Sequence, residues 1–129
     1  MSLPGFMKLI IEGHNLVLPS GIKKYIERRI DFAFAHHGFK VEQARITLFN
    51  VDDVDGAQSK QCRVEVQMKD GVAILVSDTQ SDMHASIDRA LFRATYNVQK
   101  RIKRQYALEH EAHYRRIIAK AGNKKALSS

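Results

Sequence analysis

The sequence predicts an α+β fold in the order β-α-β-β-β-α, with a single four-stranded sheet and two helices packed on one face of it. Four segments alternate apolar and polar residues, as strands with one buried face do. Two other segments repeat apolar residues every three or four positions, as amphipathic helices do. Placing both helices on the same face of the sheet buries the apolar sides of all six elements together.

The first strand is predicted at residues 7–13, which read MKLIIEG. After a short loop, Ser20 is placed to cap a helix over residues 21–36. Apolar residues recur there at helical spacing, at Ile22, Ile26, Ile30 and Ala33. Gly38 suits the position just past the helix end, because glycine tolerates a left-handed backbone.

Three further strands are predicted at residues 44–50, 61–68 and 72–78. The second of them, QCRVEVQM, alternates most clearly and places the only cysteine, Cys62, on its buried side. The tripeptide KDG at residues 69–71 predicts a tight hairpin into the last strand. These three strands are therefore expected to be antiparallel neighbours.

The last helix is predicted to begin after Asp82, a residue type that caps helix N-termini. Its apolar stripe consists of Met83, Ile87, Leu91, Ala94, Val98 and Ile102. Residues 1–6 are predicted to be a leader that is not native, residues 7–120 a single domain, and residues 121–129 a disordered tail. Because the sheet and helices use the largest apolar faces, we expect a monomer.

Positive charge is concentrated in the last third of the chain. The whole chain has a net charge of +7, whereas residues 89–129 contain 11 Lys/Arg against two acids, or +9. The first 88 residues contain 10 Lys/Arg against 12 acids, or −2. This asymmetry favours a polyanionic partner, most often a nucleic acid, over a merely soluble basic protein. No apolar run reaches the roughly 20 residues that span a membrane and no secretory signal is seen, so we expect a cytoplasmic protein.

The cations of the last helix share one side. At about 100° per residue from Met83, the apolar stripe falls between about 0° and 100°. Lys103 falls near about 200°, whereas Arg101 points towards the apolar side. The remaining cations fall between about 240° and 300°. These are Arg89, Arg93, Lys100 and Arg104.

A row of cations on a rigid helix suits an RNA backbone, because the planar guanidinium of arginine holds two phosphate oxygens. Acidic residues that would neutralise the row are nearly absent from this helix; a merely solvated helix face is the alternative. The first helix adds Lys24 and Arg28 on its outward side, so helices packed side by side would present one positive surface. Tyr96 lies among the cations and is either a stacking partner for a base or ribose or an ordinary exposed tyrosine.

No motif for catalysis, a metal or a cofactor is found. His110 and His113 are three residues apart, whereas the zinc protease pattern needs a spacing of four. The segment DDVDG fails as a calcium loop, because aligning Gly56 to the sixth position places Cys62 where a glutamate is required. No glycine-rich phosphate loop is present, and no serine or cysteine is paired with a histidine in a catalytic pattern. We therefore expect a protein that is not an enzyme and needs no metal or cofactor.

Two separated segments resemble the ribosome hibernation-promoting factors, the ribosome-associated inhibitor A family, also called sigma-54 modulation proteins. The opening MKLIIEGHNLVLPSGIKKYIERRI is similar to the family's strand, Gly-x-Asn-like turn and helix, with Gly13, His14 and Asn15 at the turn. The segment SDMHASIDRALFRATYNVQKRIKR resembles the family's Asp-Met-Tyr-Ala-Ala-Ile-Asp core and the basic run after it. The matching residues are Asp82, Met83, Ala85, Ile87 and Asp88, with His84 in place of tyrosine and Ser86 in place of alanine.

The resemblance covers about residues 7–105. It implies a fold similar to double-stranded-RNA-binding domains, and binding to the small ribosomal subunit and its rRNA in the channel used by mRNA and tRNA. Occupying that channel blocks initiation and keeps ribosomes idle under stress. Longer family members carry a second, C-terminal dimerisation domain for which this chain has no room, so a short form is expected. By the resemblance, the RNA contacts fall on Lys24, Arg28, Arg89, Arg93, Lys100, Arg101, Lys103 and Arg104.

Three other functions remain open at this point. A general double-stranded-RNA-binding module would bind free duplex as well as ribosomes. A regulator acting through protein contacts, which the sigma-54 name suggests, would need an acidic protein partner and would be insensitive to RNase. An RNA-processing enzyme has the least support, because it needs a clustered acid/base or metal site.

Overall fold

A computed structural model of the chain describes residues 7–36, 40–52, 56 and 58–128, with side chains to residue 121. The elements follow the predicted β-α-β-β-β-α order. The leader predicted at residues 1–6 and the helix stop predicted at Gly38 lie outside the described residues. The elements are β1 (Lys8–His14), α1 (Ser20–Ala33), β2 (Val41–Asp52), β3 (Gln58–Met68), β4 (Ala73–Gln80) and α2 (Met83–Ser128).

The four strands form one sheet in the order β1-β2-β3-β4, which confirms the predicted α+β architecture. β1 runs parallel to β2, whereas β2, β3 and β4 are antiparallel neighbours, as predicted. A parallel pair needs a crossover connection, and α1 provides it between β1 and β2. Alternate residues of the central pair line the buried face, where Ala44, Ile46 and Leu48 of β2 pair with Val66, Val64 and Cys62 of β3.

Both helices cover the same face of this sheet. The described part of α1 buries Ile22, Ile26 and Ile30, and α2 buries Ile87, Leu91, Ala94 and Val98. Side chains of α1 contact Asp88 of α2, and Arg93 of α2 reaches the backbone of β4, so the helices lie side by side above the strands. Two outer members of the predicted stripe, Met83 and Ile102, are only half-buried.

The predicted hairpin between β3 and β4 is confirmed. Gly71 has a φ of 93°, a conformation that costs glycine little and other residues more. Its N–H donates to the carbonyl of Met68 at 3.0 Å, and the N–H of Met68 donates to the carbonyl of Val72 at 2.8 Å. The carboxylate of Asp70 accepts from the N–H of Val72 at 3.0 Å, so the three-residue loop sets the pairing of the two strands.

The ends of α1 differ from the prediction. The helix begins at Ser20 itself, after an extended Pro19, and no side chain caps it. The carbonyl of Pro19 accepts the N–H of Ile22 at 3.0 Å, so the prediction that the Ser20 hydroxyl caps the helix was wrong. The helix ends at Ala33, and Phe34 follows with φ −109° and ψ 19° and is 1% exposed. Burial of the Phe34 ring in the core accounts for an end before residue 36.

The start of α2 is capped as predicted, and the cap makes a measurable contribution. The Asp82 carboxylate accepts the N–H of Ala85 at 2.9 Å. Asp82→Ala is expected to lower the free energy of unfolding by about 1 kcal/mol, because that N–H loses its partner. Urea denaturation measures the change, and Ser81→Ala, at the neighbouring exposed position, should leave the stability nearly unaltered. An Asp82→Ala variant as stable as wild type would contradict the assignment of the cap.

The chain forms two compact units, one up to Val98 and one from Gln99. The sequence predicted a single domain over residues 7–120, whereas the second unit consists of helix only. α2 also extends to Ser128, into residues 121–129 for which a disordered tail was predicted.

Candidate nucleic-acid interface

Two predicted contact residues lie on the exposed side of α1. Lys24 and Arg28 are one turn apart, and the buried isoleucines occupy the other side of the helix. Neither of the two forms an ion pair with any residue in the part of the chain that the structure describes. Arg28 also lines an open cleft of about 550 Å³ near the N-terminal ends of α1 and α2, together with Tyr25 and His84. Both charges are therefore available to an anionic ligand.

Two further predicted residues, Arg89 and Arg93, converge on one carboxylate of β4. Arg89 Nε lies 3.5 Å from Oδ2 of Asp78, and Arg93 Nη1 lies 3.3 Å from the same oxygen. Arg93 Nη1 also donates to the carbonyl of Ser77 at 2.8 Å. The Asp78 side chain is 9% exposed, whereas the two arginine side chains are 64% and 50% exposed. The carboxylate of Asp78 therefore orients both guanidinium groups, which remain accessible to solvent.

This arrangement corrects one prediction about the basic row. The sequence of α2 indicated that counter-charges were nearly absent, which holds for the helix itself. Asp78 comes from a strand, and only the packing of α2 on β4 brings it to the arginines. The positive potential near Arg89 and Arg93 is consequently lower than the helix sequence alone suggests, while their geometry is better defined.

Asp88 of α2 contacts two side chains of α1. It accepts a hydrogen bond from the hydroxyl of Tyr25 and lies 3.4 Å from Arg29 Nε. This hydrogen bond, together with partial burial and the negative charge of Asp88, raises the pKa of Tyr25 above its usual value. The ring of Tyr25 also meets that of His84 edge-on, with centroids 4.8 Å apart. These contacts between α1 and α2 form a seam, which fixes the spacing of the cations on the two helices.

A second cleft, of about 390 Å³, opens along the same seam. It is lined by Arg29, Asp88, Arg89, Phe92 and Arg93. Phe92 is 72% exposed, whereas most phenylalanine side chains in folded proteins are buried. The sequence analysis singled out neither Arg29 nor Phe92, which both line this cleft. The available signal was that Phe92 falls at about 180° from Met83, outside the apolar arc of the helix and next to the arc of the cations.

The remaining predicted cations belong to the second unit. Lys100, Lys103 and Arg104 are exposed, whereas Arg101 is half-buried and takes part in a side-chain interaction. The difference agrees with the helical angles, which set Arg101 apart from the other cations. Further along this unit, Tyr106 stacks on His110 with ring centroids 5.8 Å apart.

The described ranges contain neither a metal-binding cluster nor a membrane-spanning helix. No group of three or more His, Cys, Asp or Glu residues is arranged to hold a metal ion among residues the structure describes. Within those same ranges, no helix is long and apolar enough to cross a membrane. Cys62, the one cysteine of the chain, is buried in the sheet as predicted.

The fold and the exposed side chains define a class: a small α+β protein in which two neighbouring helices present cations above a four-stranded mixed sheet. Comparison of the sequence with models of known families identifies the family of this chain. The chain belongs to the family described as "Sigma 54 modulation protein / S30EA ribosomal protein", whose family model matches residues 9–106. The match confirms the resemblance inferred from the two motif segments, and it spans β1 to the start of the second unit.

Solved structures confirm the fold. A ribosomal subunit interface protein from Coxiella burnetii superposes with a TM-score of 0.64 at 12% identity, covering 75% of this chain and 99% of that one. The N-terminal domain of Protein Y from Thermus thermophilus superposes with a TM-score of 0.56 at 22% identity, covering 70% of this chain and 92% of that one. No curated protein sequence matches the chain significantly.

Proposed function

We propose that this protein binds the small ribosomal subunit and its rRNA through the exposed cations of α1 and α2, and that it keeps ribosomes idle by occupying the channel used by mRNA and tRNA. Membership of a family whose description includes a ribosomal protein supports the proposal. The observation that carries it is the side-by-side packing of the two helices, which places four exposed cations in one compact unit. These are Lys24, Arg28, Arg89 and Arg93.

The chemistry of this surface suits phosphate. Lys24 and Arg28 are exposed charges, and Arg89 and Arg93 are guanidinium groups that Asp78 already orients. Because their side chains are partly ordered beforehand, less conformational entropy is lost when they meet a phosphate. Such contacts position a protein on RNA and do not read its sequence. Within the second unit, we propose four further RNA contacts: Lys100, Arg101, Lys103 and Arg104.

The proposed inhibition is steric. A folded domain lodged in the channel excludes mRNA and tRNA, and no covalent step is involved. The proposed setting is stress or stationary phase, when ribosomes are held idle. Because each neutralised phosphate releases condensed counterions, the affinity of the protein for the small subunit is expected to fall steeply as the salt concentration rises.

Co-sedimentation with purified small subunits at low and moderate salt tests this proposal. Lys24→Glu/Arg28→Glu is expected to bind roughly tenfold or more weakly, and its salt slope should be shallower by about 0.7 to 0.9 per lost contact. Neither residue is ion-paired with a described residue, so the change removes charge without breaking an internal contact. The matched control is Lys8→Glu/Lys120→Glu, which makes the same change in net charge at exposed positions of β1 and of the far part of α2 and should bind like wild type.

The possible outcomes separate the candidate functions. Equal weakening of both double variants would show that net charge, rather than the helical surface, drives the association. Binding to free duplex RNA as tight as to subunits would favour the general duplex-binding module. Association that survives RNase treatment of the subunits would favour a regulator acting through protein contacts.

A further inference from the structure

Two aromatic side chains project from the outer side of α2 in the first unit. Phe92 is 72% exposed and Tyr96 is 58% exposed. They are four residues apart, so they lie in one row with about 6 Å between them along the helix axis. The packed side of the helix has room for neither, since it is occupied by Leu91, Ala94 and Val98. Two neighbouring exposed rings, one of them at the rim of a cleft, form a contiguous aromatic surface that a ligand can contact.

Cations surround the first of these rings. Arg89 and Arg93 lie on the same helix as Phe92, and Arg29 reaches the cleft from α1. Each arginine is held by a carboxylate, Arg29 by Asp88 and the other two by Asp78. Three arginines and two aspartates leave a local charge of +1, so the cleft still favours an anion. Its volume of about 390 Å³ lies in the range of small-ligand sites.

A flat ring between fixed guanidinium groups fits one kind of occupant best. A nucleotide presents a planar base for Phe92 and a phosphate for the arginines, and both parts of the site are then used. An acidic peptide would pair with the arginines and leave the ring face unused. Within a duplex, each base is stacked between its neighbours and cannot offer its face to a side chain, so the nucleotide must be unpaired.

We propose that Phe92, followed by Tyr96 along the helix, is a stacking site for unpaired bases of RNA, with Arg29, Arg89 and Arg93 holding the adjoining phosphates. This inference rests on the proposed function and adds a preference to it. The cations alone favour any polyanion, whereas the aromatic row favours single-stranded or looped RNA over a perfect duplex.

Phe92→Leu tests the flat ring, because it removes the aromatic face and keeps an apolar side chain of moderate size. We expect it to bind an unstructured RNA of about 12 nucleotides, and purified small subunits, roughly 5- to 50-fold more weakly than wild type. The salt slope should stay unchanged, because no phosphate contact is lost. Wild type should also bind the unstructured RNA more tightly than its matched duplex. Leu75→Ala is the control, since Leu75 is 64% exposed on β4 and pairs with Glu65 on the opposite, open face of the sheet.

A fluorescent variant gives a direct readout. The chain contains no tryptophan, so Phe92→Trp introduces a single indole into the cleft. Stacking on a base is expected to quench its emission when the unstructured RNA is added, and an RNA of the same length with abasic sites should bind without quenching. Leu75→Trp should bind the same RNA and keep its emission.

The outcomes distinguish this inference from the proposed function. Weaker binding by Phe92→Leu at an unaltered salt slope, with a quenched indole in Phe92→Trp, supports the stacking site. Salt-dependent binding in which Phe92→Leu equals wild type and the indole stays bright overturns the stacking site and leaves the basic surface standing. Failure of wild type to bind either subunits or RNA overturns both.

Discussion

Raising the pH from 9 to 12 is expected to remove about 4 kcal/mol of stability through Cys62 alone. Burial in the sheet, assisted by the negative charge of Asp78, raises the pKa of the Cys62 thiol from 9.0 to about 12. In the unfolded chain the thiol ionises from about pH 9, while the folded protein retains the proton. The contribution is thus fully present below pH 9 and is lost at about 1.4 kcal/mol per pH unit until the folded thiol also ionises.

Urea denaturation of wild type and Cys62→Ala across this range measures the effect. The variant should be less stable than wild type at pH 8, because it leaves a small cavity, but its stability should fall less steeply above pH 9. Some slope is expected to remain in the variant, since the hydrogen bond to Asp88 also raises the pKa of Tyr25. Parallel curves for the two proteins would contradict a thiol that stays protonated in the fold.

Gly13→Ala is expected to lower the free energy of unfolding by about 2 to 3 kcal/mol. A Cβ atom at this position would lie 2.4 Å from the carbonyl oxygen of Leu16 and 3.2 Å from Cγ of Leu18. The first of these is a backbone atom, which cannot turn aside as a flexible side chain does. The chain folds back closely over the end of β1, helped by Asn15 with a φ of 56°, and only glycine leaves room for that turn.

Gly21→Ala is the matched control for this substitution. No atom lies within 4 Å of the Cβ that alanine would add at Gly21, which is in the first turn of α1. Alanine there should leave the stability unaltered or raise it by a few tenths of a kcal/mol, because glycine is the poorer helix former. Thermal unfolding of both variants decides the matter, and a Gly13→Ala protein that melts with wild type would show that the turn can open at little cost.

Most of the fold could be predicted from the sequence, because the deciding signals are local. Alternation identified β3, helical spacing identified the buried faces of α1 and α2, and Asp82 and Gly71 marked a cap and a turn. The exact ends of α1 depend on tertiary packing, which the local sequence pattern does not reveal. The carbonyl of Pro19 takes the place of the predicted serine cap, and burial of Phe34 ends α1 early.

The sequence predicted where the candidate site lies, but it did not identify all of the residues that form the site. The helical angles placed Arg89 and Arg93 on the solvent side, and both are exposed. Their partner Asp78 lies on a strand, and no property of α2 could point to it. Phe92 was overlooked because a phenylalanine in an amphipathic helix is usually part of the core, so its position outside the apolar arc carried the information.

The parallel pairing of β1 with β2 also has a consequence for the order of folding. The hairpin of β3 and β4 closes over a three-residue loop, and β2 joins β3 as its neighbour along the chain. β1 pairs with β2 only after α1 and both of its connections have been ordered, so this contact bears the largest loop-closure entropy in the sheet. β1, the first strand to leave the ribosome during synthesis, is therefore expected to be the last strand to join the sheet.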